Sequence, residues 1–175
     1  RGGARGEQTH ASTTGRTCTD GTWDDELLAT LDLRRELFPA LIRPGERLGT
    51  LRSELATSLG APRDVSVTAV GSHDTASAVV AVPMRADAAA YISCGTWGLV
   101  GVEVERPVLS AEARAASFTN EGGVDGRVRL LRNVMGLWIL SETVRTWERA
   151  GTPIELSTLL QAAADVTSEV PVFDV

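Results

Sequence analysis

The sequence predicts an α/β fold, because patterns typical of strands and helices alternate along the chain. Residues 65–70 alternate β-branched and smaller side chains before Gly71, as a strand does. A run of small apolar residues, 76–82, follows and predicts a buried helix that begins near residues 72–75. The predicted order is helix, strand, helix, β-hairpin, strand, helix, which is typical of an α/β protein.

The elements before this strand are less regular. Residues 1–22 are rich in Gly, Thr and Arg and lack a helical period, which predicts a loop or a short strand. Asp24 and the acidic residues after it open a helix to about Leu33, because the helix dipole favours acids in a first turn. Residues 48–59 have mixed character with some helical pattern, closed by Gly60.

The second half predicts strands and then two helices. Strands are expected over 88–93 and 98–104, joined by a tight hairpin at Cys94-Gly95-Thr96-Trp97. A short helix within 105–126 precedes a turn-forming cluster at Asn120-Glu121-Gly122-Gly123.

The last predicted elements are a short strand over 127–131 and two amphipathic helices. Asn133 is a plausible N-cap for a helix from Val134 to about Arg149, which Gly151 ends. The second helix is predicted over 154–166.

Composition narrows the classes of function. The net charge is −6 and no basic stripe is present, so neither nucleic acid nor an anionic membrane is an expected partner. The apolar runs are far shorter than a membrane span. Two cysteines, Cys18 and Cys94, cannot form a disulfide framework, and they predict reduced thiols in a cytoplasmic protein.

The strongest candidate site is His73-Asp74-Thr75, at the predicted strand-to-helix junction. α/β folds bind ligands beyond the carboxyl ends of their strands, and a carboxylate there can accept a proton from a substrate hydroxyl. The residues alone leave an equal alternative, in which Asp74 only caps the helix. A Ser72-His73-Asp74 relay is excluded because adjacent residues cannot converge, and two histidines are too few for a metal-dependent phosphohydrolase.

Two further candidates lie downstream. In the turn at residues 93–96, Gly95 permits close backbone approach, and successive amides with the Thr96 hydroxyl can bind phosphate; the alternative is an ordinary hairpin turn. Cys94 has no established partner, which disfavours a nucleophilic role. Asn133 either bonds a sugar hydroxyl or simply caps a helix.

Four segments, in order and at matching spacing, resemble the catalytic region of the FGGY carbohydrate kinases. They are residues 70–79 (VGSHDTASAV), 90–97 (AYISCGTW), 119–123 (TNEGG) and 132–138 (RNVMGLW). Residues 9–14 and 23–28 are also similar, so the resemblance covers nearly the whole chain. It implies the two-lobed ribonuclease H-like fold of actin and hexokinase, with 1–85 as the end of the first lobe and 86–175 as the start of the second.

The resemblance also implies an activity, which is transfer of phosphate from ATP, with Mg²⁺, to a sugar. Asp74 is expected to take the proton from the C1 hydroxyl of L-rhamnulose, with xylulose or fuculose as alternative sugars. His73, Thr75 and Asn133 are expected to contact the sugar. Gly95 and Thr96 are expected to bind ATP phosphate, and no metal-ligating residue is predicted.

The chain departs from the family pattern in several places. Ser141 stands where a nucleotide-contacting Gln is common, Thr9-His10 where Thr-Asn is common, and Cys94 where Ser is frequent. The family's Asp-x-Gly phosphate hairpin and its Gly-Gly adenosine segment are not among these 175 residues. We therefore expect a central piece of a kinase that is inactive alone, and a non-catalytic remnant or binding module is the alternative.

Overall fold

The computed structural model describes residues 4–15, 17, 19–84 and 89–172, and its mixture of helices and strands matches the predicted α/β class. The helices are α1 (Gln8–Ala11), α2 (Asp25–Thr30), α3 (Ser53–Leu59), α4 (Asp74–Ala81), α5 (Ala111–Ala115), α6 (Leu137–Arg149) and α7 (Leu156–Ala164). The strands are β1 (Gly6–Glu7), β2 (Leu41–Ile42), β3 (Arg47–Thr50), β4 (Ser66–Thr68), β5 (Ala90–Cys94), β6 (Trp97–Val104), β7 (Thr119–Gly122) and β8 (Val128–Met135).

The described strands form three sheets. β1 pairs in parallel with β2, β3 pairs antiparallel with β4, and the third sheet has the order β5-β6-β8-β7. The chain divides into two compact units, one from Arg1–Tyr91 with Gly101–Arg132 and one from Ile92–Val100 with Asn133–Val175. The lobe division after residue 85 stays a prediction, and residues 85–88, with Cys18, lie outside the described part.

The predicted helix after the strand is confirmed as α4, and one face of it is buried. Ala76 and Val79, three residues apart, are buried, whereas Val80 and Val82 are largely exposed. This spacing places the two buried residues on the same side of the helix. α4 therefore packs along one stripe only, and its first turn stays at the surface.

The start of one helix and the end of another were predicted correctly, from Asp24 and from Gly60. The Asp24 side chain caps α2 by accepting a hydrogen bond from the Leu27 amide at 2.9 Å, and acids occupy the first turn. α3 ends at Gly60, whose φ of +63° is the left-handed conformation that glycine tolerates best. The mixed character of residues 48–59 resolves into the end of β3 followed by α3.

Two local predictions were wrong because longer-range contacts prevail, and a third was right only in part. Within residues 1–22, where a loop or a short strand was expected, Gly6–Glu7 is a short strand and residues 8–11 form a helix that Glu7 caps. The expected turn at Asn120-Glu121-Gly122-Gly123 is largely strand β7, because it pairs antiparallel with β8 from Thr119 to Gly122. Asn133 is not an N-cap: β8 continues to Met135, and α6 begins only after Gly136.

The tight hairpin is confirmed in the second unit. Strands β5 and β6 are neighbours joined by Gly95 and Thr96, and the carbonyl oxygens of these two residues accept the first amides of α6 at 3.1 and 3.2 Å. Gly136 makes this docking possible. A Cβ there would lie 2.5 Å from the Gly98 nitrogen and 2.9 Å from the Gly95 oxygen.

The buried hydrophobic side chains of the described residues all lie in the first unit, which also buries two polar side chains, those of Thr9 and Arg129. The hydrophobic ones are Ala11, Leu28, Ile42, Ala56, Ala69, Ala76, Val79, Tyr91 and Leu131. No helix among the described residues has the length and apolar character needed to cross a membrane.

Gly136→Ala should destabilise the chain by about 1–3 kcal/mol, because the added methyl group meets backbone atoms that cannot move aside cheaply. The measurement is the free energy of unfolding from urea denaturation. Gly15→Ala is the matched control, since its Cβ would meet only the Leu28 side chain at 3.9 Å. Equal stabilities of the two variants would contradict the close packing of α6 on the hairpin.

Candidate functional site

Asp74 is the first residue of α4, and its carboxylate faces solvent. The side chain is 100% exposed. Its Oδ1 accepts hydrogen bonds from the Thr75 amide at 2.6 Å and from the Thr75 hydroxyl at 3.3 Å. The backbone hydrogen bond from Thr75 is the main cause that lowers the pKa of Asp74. Asp74 is therefore an accessible, ionised hydrogen-bond acceptor at neutral pH.

The helix cap that the sequence left as an alternative role for Asp74 belongs to His73. The His73 Nδ1 accepts the Ala76 amide at 3.4 Å and so caps α4. An Nδ1 that accepts a hydrogen bond leaves the ring proton of the neutral imidazole on Nε2. Burial, followed by the positive charge of Arg129, lowers the pKa of His73 and favours this neutral form. Its 3.8 Å separation from Asp74 is then not an ion pair.

Glu7 and Thr9, near the start of the chain, hold the backbone of Ser72 and His73 just before α4. Glu7 accepts the Ser72 amide at 2.9 Å and the Ser72 hydroxyl at 2.8 Å. The Thr9 hydroxyl donates to Glu7 and accepts the His73 amide at 3.2 Å. The two residues directly before Asp74 therefore have partners more than 60 positions away in the sequence.

A buried charge pair lies behind the junction, within the same unit. Arg129 and Glu121 are opposite each other on β8 and β7, and Nη2 of Arg129 lies 2.8 Å from the Glu121 carboxylate. The Arg129 side chain is 0% exposed, and its Nη1 has no hydrogen-bond partner among the described residues. Burial raises the pKa of Tyr91, although nearby Arg129 opposes this. After burial, Arg129 lowers the pKa of His73 and Glu121 opposes it; at Asp74, Arg129 adds to the larger effect of the Thr75 hydrogen bonds on the pKa.

The predicted phosphate and sugar contacts of the second half lie in the second unit. Gly95 and Thr96 are exposed in the hairpin, and the Gly95 amide donates to the Trp97 oxygen at 3.0 Å. The Thr96 hydroxyl has no partner among the residues described. Asn133 is exposed near the end of β8, and Ser141 is exposed on α6. Cys94 is an exposed free thiol.

Sequence reasoning missed Glu7, Arg129 and Tyr91. Glu7 stands in a Gly- and Arg-rich stretch with no pattern that indicates a site. Arg129 carried the only available signal, since it stands between hydrophobic residues in a predicted strand, where an arginine is rarely fully buried unless paired. No group of three or more His, Cys, Asp or Glu side chains in the described part of the chain is arranged to hold a metal ion.

The chain belongs to the FGGY family of carbohydrate kinases. Residues 4–81 match the N-terminal domain of that family, and residues 90–175 match its C-terminal domain. Part of the chain is 46% identical over 132 residues to a rhamnulokinase from Bacteroides thetaiotaomicron, and this covers 74% of the chain. A longer part is 44% identical over 163 residues to a rhamnulokinase from Pectobacterium carotovorum subsp. carotovorum, covering 91% of the chain.

A solved structure supports the same fold. The ligand-bound xylulose kinase from Lactobacillus acidophilus matches 74% of the chain at 22% identity with a TM-score of 0.59, and the chain covers 26% of that structure. The predicted ribonuclease H-like kinase fold is therefore confirmed. The chain spans only 27% and 32% of the lengths of the two rhamnulokinases.

Stability should fall on acidification because of His73. Its pKa is lowered in the folded chain, so the unfolded chain binds the proton first as the pH drops below about 6.5. The contribution is complete above that pH and is lost progressively below it, until the folded imidazole also protonates. His73→Asn keeps a good capping residue without this titration, and it should flatten the dependence of unfolding free energy on pH between about 7 and 5. An unchanged dependence would contradict this assignment.

Glu121→Gln should cost about 3 kcal/mol or more, because it leaves the buried Arg129 charge without its counter-ion. Glu142→Gln is the matched control, since Glu142 pairs with Arg145 on the surface and such pairs contribute about 0–1 kcal/mol. Urea denaturation of both variants measures the difference. A Glu121→Gln chain as stable as the control would show that the pair does not hold the sheet.

Proposed function

We propose that the full-length protein containing this chain transfers the γ-phosphate of ATP to a sugar hydroxyl, with Asp74 as the general base. The observation that carries this proposal is the exposed, ionised Asp74 carboxylate at the start of α4, in a chain of the FGGY carbohydrate kinase family. The sugar oxygen attacks the γ-phosphorus, the bond to the leaving ADP breaks, and the hydroxyl proton passes to Asp74.

The lowered pKa of Asp74 is compatible with this role. Phosphoryl transfer proceeds through a loose transition state, and its catalysis depends mainly on positioning and electrostatic stabilisation. An ionised carboxylate first orients the hydroxyl by accepting its hydrogen bond. The proton becomes more acidic as the bond to phosphorus forms, and Asp74 accepts it then.

The neighbours of Asp74 suit contacts with a sugar. Because the His73 Nδ1 accepts a backbone amide, its Nε2–H is the group left to donate to a sugar oxygen. The Thr75 hydroxyl both donates and accepts. We propose these two side chains and the exposed Asn133 as the contacts that orient the substrate.

We propose that the hairpin residues Gly95 and Thr96 contact ATP phosphate. Their support is exposure, the missing side chain at Gly95, and a Thr96 hydroxyl without a partner in the described part of the chain. Mg²⁺ usually keeps several waters and binds through substrate phosphates with one or two carboxylates, so we expect it to arrive with ATP. ATP is a cytoplasmic metabolite, and we propose that location for the enzyme.

L-rhamnulose is the sugar we propose, with phosphorylation at its C1 hydroxyl. The two relatives named rhamnulokinase, 46% and 44% identical to parts of this chain, support it. Full-length enzyme assayed against L-rhamnulose, xylulose and fuculose should show the highest kcat/KM with L-rhamnulose. A higher value with either of the other ketoses would reassign the substrate and leave the role of Asp74 intact.

Asp74→Asn in the full-length protein should reduce kcat about 10²–10⁴-fold, because the amide cannot accept the proton. Sugar affinity, measured by calorimetry, should stay within a few-fold. Asp64→Asn is the control, because Asp64 is an exposed carboxylate outside the site and its substitution should leave kcat unchanged. Retained turnover in Asp74→Asn would refute the assignment of the base.

The 175 residues by themselves are proposed to be inactive. They lack the phosphate hairpin and the adenosine segment that the family uses, and one general base does not replace that electrostatic stabilisation. A coupled assay of ADP release with this chain checks the proposal, and sugar-dependent turnover would contradict it.

A further inference from the structure

We infer that Glu7 is a positioning residue for the base, acting through the backbone of Ser72 and His73. This inference rests on the proposed function, because it concerns the placement of Asp74. Glu7 contacts neither Asp74 nor Thr75 by a hydrogen bond, so it is not a catalytic residue in the proposed reaction.

Both carboxylate oxygens of Glu7 accept hydrogen bonds from the first turn of α1, and Oε2 also accepts two from Ser72. Oε1 accepts the Thr9 amide at 2.8 Å, within the first turn of α1. Oε2 accepts the Ser72 amide at 2.9 Å and the Ser72 hydroxyl at 2.8 Å, across 65 residues of sequence. A simple cap of α1 would account for the bond at Oε1 and for the bonds from Thr9 and His10 at Oε2, and would leave the two bonds from Ser72 unexplained.

Thr9 extends the same connection to His73. Its side chain is 0% exposed, and its hydroxyl donates to Glu7 while its oxygen accepts the His73 amide at 3.2 Å. A hydroxyl that donates to a carboxylate is a better acceptor for a second donor, because successive hydrogen bonds polarise one another. Glu7 and Thr9 therefore hold both amides that immediately precede Asp74.

This arrangement matters because, within the described part of the chain, no residue distant in sequence forms a hydrogen bond with the Asp74 side chain. Its only described hydrogen bonds come from the adjacent Thr75, so its position depends on where α4 begins. That start depends in turn on His73, which caps the helix and whose amide Thr9 holds. Errors of about 1 Å in the placement of a reacting group can reduce rates about 10²-fold.

The negative charge of Glu7 contributes to its positioning role. Burial opposes ionisation, but the hydrogen bonds from Thr9 and Ser72 together lower the pKa of Glu7. Five hydrogen-bond donors, two from Thr9, two from Ser72 and the His10 amide at 3.3 Å, converge on this carboxylate. Glutamine has the same shape, but its NH₂ group must face donors at one of the two oxygen positions. Glu7→Gln therefore removes the negative charge and one acceptor position, and it weakens the connection with little change in volume.

The test is steady-state kinetics of Glu7→Gln in the full-length protein, normalised to the fraction of folded molecules. The expected result is a fall in kcat of about 10-fold or more, with the KM for ATP within about twofold of the parent's value. Glu46→Gln is the matched control, because the only hydrogen bond described for the Glu46 side chain is a local one from the Arg43 amide at 3.3 Å. The control should keep its kcat within about twofold.

Ser72→Ala provides a milder second variant in case Glu7→Gln folds poorly. It removes the hydroxyl bond to Glu7 and keeps the amide bond, so kcat should fall about threefold or more, again with KM for ATP unchanged. The double variant should lose less than the product of the two single losses, since both act on one contact. Normal kcat per folded molecule in both single variants would overturn the inference.

Asp74→Asn, measured in the same series, separates this inference from the proposed function. If Asp74→Asn is inactive while the variants at Glu7 and Ser72 turn over normally, only the positioning role fails. If Asp74→Asn turns over normally, the proposed base fails, and the positioning role fails with it.

Discussion

The backbone amides at the junction before α4 need partners, and the first unit is arranged around supplying them. Buried or half-buried amides without acceptors are costly, and strand β4 ends before residues 71–73. Glu7, the last residue of β1, and Thr9, in the four-residue helix α1, provide the acceptors. The parallel pairing of Gly6–Glu7 with Leu41–Ile42 holds that helix in place, so a short strand supports the whole junction.

The positive charge of the buried Arg129 acts on the two ionisable residues of the junction, His73 and Asp74. Nη2 of Arg129 contacts the carboxylate of its partner Glu121, whereas Nη1 has no hydrogen-bond acceptor among the described residues. Burial and then Arg129 lower the pKa of His73, and the hydrogen bonds from Thr75, with a smaller effect of Arg129, lower the pKa of Asp74. A neutral His73 keeps a hydrogen-bond donor at Nε2 beside the acceptor carboxylate of Asp74. The pairing of β7 with β8, which places Arg129 opposite Glu121, thus affects the ionisable residues at the start of α4.

Local signals predicted those elements whose cause is local. Asp24 and Gly60 marked helix ends correctly because a side-chain cap and a left-handed glycine act within one turn. Residues 120–123 were misread because turn propensity is weaker than a ladder of hydrogen bonds to β8. Asn133 was misread for a similar reason: β8 runs past it, and the close approach of Val134 to Gly98 accompanies that extension.

The sequence by itself determined the family, the α/β class and the identity of Asp74 as the candidate base, because four ordered motifs and one strand-to-helix junction carry that information. Tertiary structure alone decided that His73 rather than Asp74 caps α4, that Glu7 and Thr9 accept the Ser72 and His73 amides, and that Arg129 is buried beside Glu121. The physical reason is distance along the chain. The hydrogen bond between Ser72 and Glu7, which are 65 residues apart, follows no periodicity or spacing in the sequence. Only folding brings these two residues together.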